Sequence, residues 1–405
     1  MSSSRRRFLL NTMALGCSAA ANPLITPVTY AATPSNNRLV VIILRGGMDG
    51  LDVVRPVGDQ NFATYRTDMA TGAHDLNGMF ALHPALGDLM PMWRMGELGF
   101  AHAVSTPYRD KRSHFDGQDL LEAGYASIAQ KQAATGTTGW LNRMLTLLPN
   151  VHAETAFAVG QDDLILLSGD APHSSWSPGR SLPLSVQGQN FLERMYENDP
   201  LFHASAQTAI TLSAETLGGE VAEGEDMMAQ MADNLKAARN ADRAQALARF
   251  TAEQMHQDTR IAAFSIGGWD THRNQPNSMR NALQQLSTAL RTLKTDLGPI
   301  WGKTAVLCMT EFGRTVRQNG TQGTDHGTGG ALLYAGGAVR GKQVLGRWPG
   351  LADHQLYQQR DLMPTADVRG LAASAMQGLF GHSTSDLERV VFPNLDMTDA
   401  AKFIL

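Results

Sequence analysis

Two cysteines in 405 residues leave no room for a disulfide framework. Cys17 lies near the amino terminus and Cys308 inside an apolar run, so a mature chain that has lost its first residues keeps no pair to join. An excess of one charge is missing as well. The 34 lysines and arginines face 38 aspartates and glutamates, a formal net charge of -4. Residues 1–32 carry three arginines and no acids, so the remainder stands at about -7 by the same counting. That mild acidity argues against a nucleic-acid surface. No apolar run is long enough for a membrane-spanning helix, and no internal repeat or low-complexity linker divides the chain. What remains is length enough for one sizeable core or two.

The amino terminus has its own pattern. Ser4-Arg5-Arg6-Arg7-Phe8-Leu9-Leu10 precedes a mildly apolar tract to about Ala21, then small residues and prolines to Ala32. This resembles a twin-arginine export signal, with cleavage near Ala21 or at Ala31–Ala32. An uncleaved anchor is the competing reading. The route carries folded proteins, so it predicts a metal or cofactor loaded before export, the export machinery as a partner, and a periplasmic or secreted mature chain over residues 33–405.

Polar clusters follow apolar strands along the rest of the chain. Arg38–Leu44 reads as a buried strand and ends in Arg45-Gly46-Gly47-Met48-Asp49. The glycines allow a tight turn. The third glycine of a dinucleotide fingerprint is absent. Leu98–Val104 is a second strand, leading through Thr106 and a basic loop with Arg109, Lys111 and Arg112 to Ser113. Ser113 and Asp116 have the spacing of a helix start, and a hydroxyl at a helix N-terminus also suits attack on an anionic ester. Ala156–Val159 and Leu164–Leu167 read as short strands. About residues 188–258 read as a helical excursion over the sheet. Arg260–Ile266 delivers Asp270 and His272, and Thr304–Met309 delivers Glu311, Phe312 and Arg314. A Gly/Thr-rich loop then carries Asp325 and His326 into a strand at Ala331–Ala335. Ligands bind beyond the carboxyl ends of strands in open α/β sheets. Each cluster alone also fits an ordinary polar turn, and His102 fits a satisfied structural histidine.

The order of these groups resembles the alkaline phosphatase superfamily, which includes sulfatases. More closely, L-R-G-G-M-D-G-L-D at Leu44, L-H-P-A-L at Leu82, R-S-H-F at Arg112, G-G-W-D-T-H at Gly267, T-E-F-G-R-T at Thr310 and T-D-H-G-T-G-G at Thr324 resemble the exported bacterial family known as domain of unknown function 1501. The resemblance implies an α/β fold with a mostly parallel central sheet flanked by helices. It implies Asp49, Asp270, His272, Glu311 and His326 as metal ligands, and Ser113, with Thr106 second, as nucleophile. Arg314 and Arg109 are expected to stabilise developing charge. Phe312 stands where the superfamily pattern wants a histidine, so one of two metal positions lacks a nitrogen donor.

The expected function is metal-dependent hydrolysis of phosphate or sulfate esters, small or polymeric. Binding of an anionic surface polymer without catalysis is the alternative. Asp270, His272 and His326 are expected to retain a zinc, manganese or iron ion, while Asp49 and Glu311 hold at most a weak magnesium or calcium ion.

Overall fold

The first apolar run, Arg38–Leu44, forms strand β1, and every residue in it is buried. The computed structural model describes residues 36–67, 72–109, 111–134, 136, 138–162, 164–177 and 227–405, with side chains of its second long helix from residue 240 onward. The export-signal reading lies outside the described residues.

Among the described residues eight further strands join β1: β2 (Leu98–Ser105), β3 (Ala156–Val159), β4 (Ser174–Trp176), β5 (Ile261–Ile266), β6 (Thr304–Met309), β7 (Gly330–Ala335), β8 (Val344–Leu345) and β9 (Ala366–Asp367). Their order is β8-β2-β7-β6-β1-β5-β3-β4, with β9 also on β2. β1 lies between β5 and β6, parallel to both, with Val41 opposite Ala263 and Leu307. β7 is antiparallel to both its neighbours, β2 and β6. The other pairings are parallel. β7 therefore returns the chain across the edge where β1, β5 and β6 end.

A strand buried on both faces sends alternate side chains to opposite sides. Val40, Ile42 and Leu44 enter one core with residues of helices α2 (Met227–Met255) and α3 (Gln275–Leu297), among them Leu247, Phe250, Leu286 and Leu290. Leu39, Val41 and Ile43 enter the other with Trp140 and with Leu371 and Met376 of α4 (Val368–Phe380). Two helical layers thus cover a mostly parallel sheet, as expected.

Two local expectations change. Leu164–Leu167 is no strand, since Ile165–Leu167 makes a 3-10 turn. The run is apolar because Leu166 and Leu167 fill the second core, a burial that periodicity cannot tell from strand pairing. The helical excursion of about 188–258 is described only from Met227. From residue 240 its helix lies in the flanking layer, with Ala244, Leu247, Ala248 and Met255 in the first core.

Candidate metal centre

β1, β5 and β6 end at one edge, and the loop from Thr310 to Gly329 crosses it before β7 begins. Glycine lets the turns close together. Gly46 has φ +125°, and a Cβ there would lie 2.5 Å from the Asp270 nitrogen. Helix α1 (His114–Ala123) brings its N-terminus to the same edge, with Ser113 at the cap position.

Four side chains converge there. Asp270 Oδ1 is 3.1 Å from His272 Nε2, 3.3 Å from His326 Nε2 and 3.5 Å from His114 Nε2. The Nε2 atoms of His272 and His326 are 2.9 Å apart. One donor atom each from His114, Asp270 and His326 fall within 4.8 Å of one another. Each imidazole is held by its other nitrogen. His326 Nδ1 meets the Arg112 carbonyl at 2.8 Å, His272 Nδ1 meets Asp325 Oδ1 at 3.1 Å, and His114 Nδ1 meets Glu311 Oε1 at 2.8 Å. A carbonyl oxygen only accepts, so His326 Nδ1 carries the hydrogen, and ionised carboxylates impose the same tautomer on the other two rings. Three Nε2 lone pairs then face a carboxylate oxygen, and His114 Nε2 is buried without a hydrogen-bond partner.

Acceptor atoms this close call for a shared proton or a cation between them. Bonds of about 2.0–2.1 Å to a tetrahedral ion place donors about 3.3 Å apart, and the separations among Asp270, His272 and His326 and from Asp270 to His114 run from 2.9 to 3.5 Å. Oxygen acceptors on the far nitrogens are the usual outer support of metal-bound histidines. The residues present therefore fit a divalent metal.

Burial opposes the charge on Asp270, but the hydrogen bond and charge of Arg314, helped by His272 and His326, hold its carboxyl below the ordinary range. Burial also opposes ionisation of Glu311, where hydrogen bonds from His114, Gln118 and Gly46 prevail and lower it. His114 is raised, first by its hydrogen bond to Glu311. His326 is lowered, first by burial.

The other expected site residues are engaged elsewhere. Fully buried Asp49 accepts from Arg66 Nη1 at 2.8 Å and Gln275 Nε2 at 2.7 Å, and caps a short helix through Leu51 N at 3.1 Å. Glu311 Oε1 accepts from Gly46 N, His114 and Gln118, and Oε2 from the Thr310 hydroxyl. The Arg314 guanidinium, turned inward, donates to the carbonyls of Gly46, Gly47, Trp269 and Thr324 and at 2.5 Å to Asp270. It clamps three loops together and holds Asp270. Arg109 folds onto Ser105, Thr106 and Tyr108 of its own loop. The Thr106 hydroxyl donates to the Glu311 carbonyl at 3.2 Å. Ser113 does occupy a helix cap, but its side chain makes no capping bond, while its N–H donates to the Tyr108 hydroxyl at 2.8 Å.

His114 is the candidate donor that the sequence pattern did not single out. It was visible in R-S-H-F, one residue past the serine, where the first turn of a helix faces the ligand edge.

The sequence pattern of a family described as "Protein of unknown function (DUF1501)" matches residues 99–390. No curated protein matches the chain. Among solved structures, a protein in the alkaline phosphatase superfamily from Vibrio parahaemolyticus aligns at 12% identity and TM-score 0.36, over 77% of this chain and 64% of that one. The lipoteichoic acid synthase LtaP from Listeria monocytogenes aligns at 9% identity and TM-score 0.39, over 89% and 75%. The C-terminal periplasmic domain of EcEptC from Escherichia coli aligns at 10% identity and TM-score 0.39, over 90% and 88%.

Proposed function

We propose that this chain, which belongs to the family of unknown function DUF1501, is a metal-dependent hydrolase of phosphate or sulfate esters. The observation that supports it is the convergence of three imidazole Nε2 atoms on Asp270 Oδ1, each ring tethered by its Nδ1. Nitrogen donors with one carboxylate suit zinc, manganese or iron. Such an ion supplies Lewis-acid polarisation of an ester oxygen and a lowered pKa for a nearby hydroxyl or water.

The chain's own groups do the rest. Arg314 fixes Asp270, and Asp325 and the Arg112 carbonyl fix two of the rings. Ser113 is the nucleophile of this reading, because it sits beside His114 and gives no capping bond to α1. The N-terminus of α1 offers the positive end of a helix dipole, and backbone N–H groups that the helix does not use, to the ester anion. Arg109 shapes the loop that carries Ser113 to this place.

Turnover of an aryl phosphate and an aryl sulfate by the metal-loaded protein tests the proposal. Activity should vanish with a chelator and return with metal, and Ser113→Ala should abolish it while metal content stays. One observation favours the second reading, an anionic-polymer binder: Asp270 Oδ1 has three imidazole nitrogens within 3.5 Å, and four protein donors on one ion would make a closed shell, as in structural sites. Retention of an anionic polymer with no turnover of either ester would replace the hydrolase by that binder.

Export belongs to the same proposal and is supported by the Arg5-Arg6 pair and the apolar tract after it. With both arginines changed to lysine, the precursor should remain in the cytoplasm. An unchanged periplasmic yield refutes the twin-arginine reading.

A further inference from the structure

We infer that the centre holds one metal ion per chain, that His114 supplies the nitrogen donor which Phe312 withholds, and that Glu311 acts through His114 instead of on the ion. The inference rests on the metal centre of the proposed reading and not on its reaction.

Three observations carry it. First, the two carboxylates that would complete a second position are closed. Both Asp49 oxygens are bonded by Arg66 and Gln275 inside the protein. Glu311 is buried and takes three donors on Oε1 and the Thr310 hydroxyl on Oε2. Second, an apolar ring fills the space beside two of the imidazoles. Phe312 lies with its centroid 5.0 Å from the rings of both His114 and His326. It is packed behind as well, since a Cβ on Gly47 would come within 2.7 Å of it and one on Gly117 within 3.1 Å. Third, His114 reaches the centre from a different element. It stacks on Phe312 at an interplanar angle of 30° and directs an unpartnered Nε2 towards Asp270 and His326. The nitrogen missing from the loop after β6 is thus replaced by one from the first turn of α1. Glu311 keeps an indirect part, because its carboxylate fixes the ring and tautomer of His114.

The test uses zinc alone and needs no substrate. Metal-stripped protein is titrated with zinc by equilibrium dialysis, as wild type, His114→Ala and Glu311→Gln. Melting of each metal-free protein shows whether it is folded. Glu311→Gln is the conservative variant, because its amide oxygen can replace Oε1 while its amide nitrogen donates to the Thr310 hydroxyl. The expected result is one zinc per wild-type chain, and zinc affinity about 10–100-fold weaker in Glu311→Gln with the same stoichiometry at saturation. His114→Ala should weaken zinc at least as much. Nitrogen NMR of wild type should show His114 Nε2 shifting on zinc addition while Nδ1 keeps its hydrogen. Two zinc ions per chain, or unchanged affinity in folded His114→Ala, would overturn the inference, as would a His114 Nε2 resonance that ignores zinc. If zinc behaves as expected and no ester is turned over, the hydrolase reading fails and this inference stands.

Discussion

Replacing Asp49 by asparagine separates a structural carboxylate from a metal ligand. Asp49 and Arg66 are buried with side-chain exposures of 1% and 0% and are 2.8 Å apart. Arg66 also donates to the carbonyls of Thr315 and Val316, which joins the end of β1 to the loop after β6. Removing one partner of such a pair leaves a buried charge uncompensated and costs about 3–5 kcal/mol. An unfolding entropy of about 2.1 cal/mol/K per residue over roughly 370 residues makes that a fall of about 4–6 °C in melting temperature. The assay is thermal unfolding of metal-free protein beside elemental analysis of purified protein. Metal per folded chain should stay at the wild-type value. Acid titration adds a sign. Burial raises the Asp49 carboxyl, but Arg66 and Gln275 outweigh it and hold it below its ordinary value. Its contribution is therefore present above the ordinary carboxylate pKa and is lost as pH falls through the lower folded value. The wild type should lose that increment in acid, and Asp49→Asn should have none to lose. An unchanged melting temperature together with loss of metal would refute the structural assignment.

Glu122 gives the opposite pH dependence. Burial, only partly offset by Arg45 and two backbone N–H groups, raises its carboxyl from 4.5 to about 7. The folded state then binds the extra proton, so stability should fall as pH rises between those values, and urea midpoints of Glu122→Gln should lack that slope. Gly313→Ala should yield a destabilised protein that retains little zinc, because the new Cβ would meet the Gly329 carbonyl oxygen at 1.9 Å. A soluble variant with wild-type zinc affinity would contradict the close crossing. Cys308 lies fully buried in β6, and burial pushes its thiol well above the ordinary range. It should react with an alkylating reagent only after unfolding, as mass spectrometry would record.

The long apolar strands were legible because each pattern is set by the layers it meets. β1 and β6 start and stop where the sequence turns polar. The side-chain partners were not legible. Asp49 ends a strand, as a metal ligand would, and only the fold shows that Arg66 reaches it first. Glu311 and His114 are 197 positions apart, and their contact depends on α1 and β6 meeting at one edge. Periodicity records burial, whereas a metal centre depends on which loop ends become neighbours. The glycine turns did announce a crowded edge, since Gly46 and Gly313 each stand where another backbone passes.

The place of β1 in the sheet bears on how the chain is made. Among the described residues β1 comes first in the chain yet lies centrally in the sheet, and both its partners come late, β5 beginning at Ile261 and β6 at Thr304. At about 5–20 residues per second, roughly ten to forty seconds of synthesis pass before either edge of Arg-Leu-Val-Val-Ile-Ile-Leu can be paired. During that interval the nascent chain carries an apolar, β-branched strand with both edges open, the form that recruits other strands into aggregates. An amino-terminal piece ending before Ile261 lacks both strands that pair with β1.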